Sequence, residues 1–473
     1  MVAGPLRAQE PLRYSVEFLP ELHSIQVTAS VPTGGKPSIE LKMAVWTAYV
    51  VREYSQFVVQ ISAEQPAGPA IPIHKTRKNR WAVETGGAPR VVVRYRVYSH
   101  AMHVQDNYVD NEFALLNGQP SFLTLAENAG IPHEVKLILP PAWKASLSAM
   151  RKIGEHQYRA KDYEELMDSP IVAGNPAVHE FAVDGRKHRL VNVLDRGSWD
   201  VSKSTADLAK IVAAERDVWG SLPYHEYTFF NILSGKGGGM EHAECTVMMA
   251  APNATRRRDT YVAWLSLAAH ELFHAWNVKR LRPREIVPGE YEVEQYTRSL
   301  GIAEGFTSYY AYLAMRRAGV ISDGEFYELL SREIDALQRS DGRRLQSLAD
   351  ASFDAWIKFY RPNEITSKTT ISYYTKGAVV AFLLDVRLRA QSNNARSLDT
   401  VMREMLQRYP QERGYTLEEF AQAAQTDIKP WFQSTEELDY SEAARWFGLK
   451  ITSSKMEPAG SNANREIWLR GGK

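Results

Sequence analysis

Cysteine is nearly missing from this sequence. Cys245 is the only one in 473 residues, so no intramolecular disulfide is possible and the redox compartment stays open. Long apolar runs are missing too: none approaches the ~18–20 residues that span a bilayer, which excludes a membrane-crossing helix within the sequence. Charge of one sign is not in excess, since Lys+Arg 57 against Asp+Glu 56 leaves a formal net charge of +1. No overall field therefore draws nucleic acid or an anionic membrane. The strongest local basic cluster, Arg256-Arg257-Arg258, is expected to be a solvated loop, and Cys245 a small residue in a strand rather than a reactive thiol. Internal repeats and low-complexity segments are also missing. Met1-Val2-Ala3-Gly4-Pro5-Leu6-Arg7 has no apolar core of a signal peptide, so a cytoplasmic protein is expected, or a periplasmic or secreted one if a leader was removed.

What is present is an ordinary soluble composition, 44% hydrophobic and 24% charged, in a chain long enough for two or three cores. The first part alternates with period two. Tyr14, Val16 and Phe18, then Ile25 to Ala29, then Val91, Val93, Tyr95 and Val97 read as strands, separated by turn signals such as Thr33-Gly34-Gly35-Lys36. Helical periodicity is scarce before about residue 197, and nothing there has ligand or nucleophile spacing. An antiparallel β domain over 1–196 is expected to shape one wall of a cleft.

From Asp195-Arg196-Gly197 the character changes. Leu208, Ile211, Val212, Glu215 and Trp219 fit a helix broken at Gly220 and Pro223, and strands follow at Tyr227–Leu233 and Cys245–Ala250. Between those strands lies a glycine-rich loop, Ser234-Gly235-Lys236-Gly237-Gly238-Gly239-Met240-Glu241-His242. It lets a backbone run close beside a ligand, but no Lys-Ser/Thr follows, so a phosphate loop is disfavoured. Helical patterns cover about 294–317, 324–338 and 374–389, and Thr416-x-x-Glu419 is a capping box. The expectation is α+β: the β domain, an α+β catalytic domain over 197–395, and a helical region over 396–473.

Inside an apolar run stands His270-Glu271-Leu272-Phe273-His274. On a helix, histidines four apart project from one face and both reach a single metal ion. Glu271, about 100° round the helix, can then approach a metal-bound water without being a ligand. The pattern alone arises by accident in on the order of one chain in fifty of this length, so the rest of the chain must decide. A catalytic zinc takes a third protein ligand. Glu304, in a weakly polar helical segment beside Gly305, is the best candidate, because a carboxylate there needs a compensating cation. Spacing leaves Glu292 and Glu294 open.

Three stretches then carry a resemblance: His270-Glu271-Leu272-Phe273-His274-Ala275-Trp276-Asn277-Val278-Lys279-Arg280-Leu281-Arg282-Pro283, Ala303-Glu304-Gly305-Phe306-Thr307-Ser308-Tyr309-Tyr310, and Ser372-Tyr373-Tyr374-Thr375-Lys376-Gly377-Ala378. Together they resemble the glycyl aminopeptidase family of zinc peptidases, which is similar in fold to aminopeptidases with a thermolysin-like catalytic domain. The resemblance implies one Zn2+ per chain on His270, His274 and Glu304, and Glu271 as general base. Gly238-Gly239-Met240-Glu241-His242 resembles the Gly-x-Met-Glu-Asn exopeptidase motif of the wider group, which implies that Glu241 binds the substrate's free amino group while Gly238, Gly239 and Met240 flank the substrate. Tyr374 matches the tyrosine that stabilises the tetrahedral intermediate; without the family pattern, Tyr373 competes with it.

The expected reaction is removal of a small first residue, Gly or Ala, from peptides with a free N-terminus. A thermolysin-like endopeptidase, an epoxide hydrolase and a catalytically idle binding module are the rival readings. Many members of the family resembled carry a C-terminal PDZ domain. Here that domain is expected to be absent or truncated, with Ile467-Trp468-Leu469 as a possible first strand.

Overall fold

The structure is a computed structural model and describes residues 10–47 and 49–471. The Met1–Arg7 stretch and Lys473 lie outside the described residues.

Alternation of apolar residues builds the first half. In the strand Arg90–Tyr98, Val91, Val93, Tyr95 and Val97 all point inward, and the strand pairs on one side with Ser24–Pro32 and on the other with Val58–Glu64. These belong to an eight-stranded sheet whose inner face, with a four-stranded sheet containing Ser38–Lys42 and Arg80–Glu84, encloses one hydrophobic core. The expected antiparallel pattern has one exception: Leu12–Leu19 pairs in parallel with His133–Ile138. Only short helices interrupt this region, such as Tyr163–Met167.

A separate sheet of five strands carries the catalytic half. Arg186–Val193, Glu226–Ile232 and Cys245–Met249 run parallel, with Ala177–Val183 and Gly238–Glu241 antiparallel at the two edges. By hydrogen bonding, then, the strands over 177–193 go with the chain that follows them, although their composition resembles what precedes. The glycine-rich stretch expected as a loop is in part an edge strand, because its backbone completes the ladder of Cys245–Met249. Cys245 is buried in that partner strand.

Helices pack over this sheet. Val201–Trp219 is capped by the Asp200 side chain and stops at Gly220, which adopts φ 94°. Arg258–Phe273 and Tyr373–Ser392 are apolar nearly all round, as helices buried inside a large core must be. The expected helix from residue 294 starts later. Thr297 and Gln295 bond local backbone with their side chains and compete with helix formation, so regular structure begins at a π-helical turn, Gly301–Phe306, that runs into Thr307–Arg317. The Arg256–Arg258 run is part helix as well: Arg258 opens the helix Arg258–Phe273 and pairs with Glu325 at 2.6 Å.

Ile467-Trp468-Leu469 is not a strand. It lies in the helix Ala463–Arg470, and Trp468 is wholly buried among the catalytic helices. Among the described residues no helix is long and apolar enough to cross a membrane.

Candidate active site

The helix Arg258–Phe273 carries His270 and Glu271 on its last turn, and His274 caps it. The two Nε2 atoms lie 3.1 Å apart, and each is 3.2 Å from Oε2 of Glu304. Each of the three residues offers one ligand atom within 4.8 Å of the others, so the group could hold a metal ion. Glu292 is committed elsewhere, to Arg80 at 2.7 Å and Lys42 at 3.2 Å, and Glu294 is exposed.

Two neighbours set the histidines. His274 Nδ1 is 2.9 Å from the Asn277 carbonyl, so Nδ1 donates there and Nε2 is the ring atom directed at Glu304. His270 Nδ1 is 3.3 Å from Ser308 Oγ. The Asn277 side chain also donates to the carbonyls of Ile302 and Ala303 and to Thr307, which ties the π-helical turn to the histidine helix.

The electrostatics favour a cation. Burial by itself would raise the Glu304 carboxyl and lower His274, yet their attraction outweighs it: Glu304 is held well below the carboxylate range and His274 is pushed up to about 9. With Glu241 and Glu271 close by, the pocket draws a positive charge even onto a buried imidazole. Two imidazole nitrogens and one carboxylate oxygen converging in this way suit a divalent metal ion.

Glu271 is buried and its Oε2 has no hydrogen-bond partner among the described residues. Burial pushes its carboxyl well above the ordinary range. Its other oxygen fills the place a side chain would take at Gly239, where an added Cβ would fall 2.1 Å from Oε1. The edge strand therefore passes directly across the carboxylate, which only glycine permits, and Gly238 before it adopts φ 116°. Met240 is buried, and Glu241 at the end of the strand is 9% exposed with no hydrogen bond to its carboxylate among the described residues.

Tyr374 opens the helix Tyr373–Ser392, and its ring centroid is 6.1 Å from that of His270. Tyr373 is fully buried and donates to the Tyr360 hydroxyl at 3.1 Å. The helix approaches the Glu304 turn through glycines: an added Cβ at Gly305 would come 2.4 Å from Gly377 Cα. This contact brings the tyrosines beside the histidines.

Comparisons with known proteins now bear on these residues. Residues 263–380 match the model of the M61 glycyl aminopeptidase, and residues 13–175 match that of the peptidase M61 N-terminal domain. No curated protein matches. The crystal structure of an aminopeptidase N family protein from Idiomarina loihiensis is 30% identical, with a TM-score of 0.89 over 93% of this chain and 79% of that one. The chain belongs to the M61 glycyl aminopeptidase family. As an M61 protein it is a peptide hydrolase, and its α+β fold is the one the resemblance implied.

Three residues of this M61 peptidase site escape sequence reasoning. Tyr360 places its hydroxyl 3.4 Å from that of Tyr374. Asn277 orients His274. Asp168, from the N-terminal half, accepts hydrogen bonds from the Ala243 N–H and Lys279 Nζ, both at 2.8 Å, and lies 3.2 Å from His242 Nδ1. Burial would raise its carboxyl, but Lys279 and then His242 hold it far below the carboxylate range. It pins the chain immediately after Glu241 to the chain immediately after the histidine helix. No spacing rule points to Asp168 or Tyr360; the run Gly-Gly-Met-Glu-His marks only one side of the contact.

Proposed function

We propose that this chain is a zinc aminopeptidase that hydrolyses the first peptide bond of peptides with a free N-terminus. The observation that carries the reading is Glu241: its carboxylate lines a cavity and takes no hydrogen bond among the described residues, beside a histidine–histidine–glutamate group but not part of it. A substrate ammonium leaving water needs such a partner.

His270, His274 and Glu304 would hold one zinc, which when bound polarises a carbonyl and lowers the pKa of water. Glu271 takes a proton from the attacking water and hands it to the leaving amine; a carboxyl raised by burial is suited to both tasks. The Tyr374 phenol, kept protonated by burial and then by Glu304, donates to the oxyanion as charge develops there. Gly238, Gly239 and Met240 form the outer edge of the sheet, so their backbone can pair with an extended substrate.

The test pairs a glycyl or alanyl anilide with its N-acetyl analogue, each with and without chelator. Activity on the free amine alone, lost with chelator and restored by zinc, is expected. Equal cleavage of the blocked substrate would overturn the reading in favour of an endopeptidase. Glu271→Gln should keep stoichiometric zinc and lose at least about a thousandfold in kcat.

A further inference from the structure

Trp46 and Tyr49, buried residues from well before the catalytic sheet begins at Ala177, join the core of the catalytic helices rather than the core of their own half. They lie on a hairpin in which Trp46 pairs with Val51 and Thr47 with Val50. The hairpin is fastened from the other side: the N–H groups of Val45 and Trp46 donate to the Tyr291 carbonyl at 2.7 and 2.9 Å.

Tyr49 is unusual in two independent ways. Its φ is 67°, a left-handed conformation that a tyrosine adopts only when its surroundings impose it. Its hydroxyl is buried and has no hydrogen-bond partner among the described residues. A buried polar group without a partner calls for an explanation, and a ligand is one. Tyr49 lines the 120 Å³ cavity together with Trp46, Met240, Glu241, Val278 and Tyr291. Burial and then the charges of Glu304 and Glu241 keep the phenol protonated.

We propose that Tyr49 contacts the substrate: its hydroxyl accepts a hydrogen bond from the ammonium group that pairs with Glu241, and its ring walls the pocket of the first side chain. This rests on the reading of Glu241 as the amine partner. An ammonium brings three donors, and a carboxylate on one side cannot meet all three. A neutral phenol oxygen supplies a further acceptor without adding a second buried charge.

Tyr49→Phe keeps the ring and removes the oxygen. With an alanyl anilide, KM is expected to rise about tenfold while kcat stays within about twofold, and any slow cleavage of the N-acetyl analogue is unchanged. Tyr49→Ala is expected to raise kcat/KM for a leucyl relative to an alanyl anilide by about tenfold. If Tyr49→Phe lowers the thermal midpoint, inhibition by alaninamide, with N-acetylalaninamide as control, is measured where the variant is folded and should still weaken about tenfold. An unchanged KM and alaninamide affinity, or a fall in kcat alone, would overturn the proposal. A wild-type enzyme indifferent to N-acetylation would sink the aminopeptidase reading itself; a discriminating wild type with an equally discriminating Tyr49→Phe would sink only the role of Tyr49.

Discussion

Gly239 and Glu271 share a space too small for one more carbon. Gly239→Ala would place a methyl 2.1 Å from Glu271 Oε1 and force the carboxylate aside, while His270, His274 and Glu304 keep their positions. The expected result is a drop in kcat of at least about a hundredfold with zinc content unchanged, read by steady-state kinetics alongside metal analysis. At this scale the sequence was legible where chemistry recurs at short spacing. The histidines four apart on one helix and a glutamate adjoining Gly305 were visible as residues. Asp168, Tyr360 and Tyr49 were not, because each reaches the site across a long stretch of chain and nothing next to them in sequence marks it. Glu241 was visible only through its resemblance to an exopeptidase motif; its isolation from any partner is a fact of packing.

Among elements, the Gly301–Phe306 turn and the helix Tyr373–Ser392 meet backbone to backbone at Gly301, Gly305 and Gly377. An added Cβ at Gly377 would come 2.6 Å from the Gly301 carbonyl oxygen. Gly377→Ala should destabilise the protein by about 1–3 kcal/mol in urea unfolding, and weaken zinc binding in a competition with chelator, because backbone rather than a flexible side chain must give way. Strands with alternating apolar residues, and helices ended by glycine or opened by a capping box, were recovered close to their expected limits. The glycine-rich stretch and the segment from 294 to 300 were not. In the first, main-chain pairing with a neighbouring strand overrides a poor strand composition; in the second, side chains of Gln295 and Thr297 take up backbone groups that a helix would need.

Across the whole molecule, two tethers hold the halves and the end of the chain to the site. Glu292, after the histidine helix, accepts hydrogen bonds from Arg80, Asn79 and Lys42 of the β half. Burial would raise its carboxyl, yet those donors hold it down at about 2, against 4.5 unperturbed. A carboxyl lowered in the folded state stabilises it above the unfolded value and ceases to do so as pH falls through the folded one. The thermal midpoint of the wild type should therefore exceed that of Glu292→Gln near neutral pH, and the gap should close as pH falls from about 5 toward 2. The second tether is Trp468, stacked on Phe447 at 4.4 Å and donating to the Tyr309 hydroxyl at 2.8 Å. Trp468→Ala should cost about 3–5 kcal/mol in unfolding experiments, as befits a core residue. A short apolar run near the end of a chain reads equally well as strand or helix, and only the partners of Trp468 decide between them.

The π-helical turn at Gly301–Phe306 has one residue more in its loop of hydrogen bonds than an α-helical turn would have. Losing one residue there would leave a smoother helix, with its capping, length and apolar content intact. It would also rotate Glu304 by about 100° relative to Tyr309 and Tyr310 behind it, turning the carboxylate from the histidines into the packed core. A regularised descendant of this chain would thus keep its helical spectrum, lose stability to a carboxylate buried without a partner, and have nowhere left to put a metal ion.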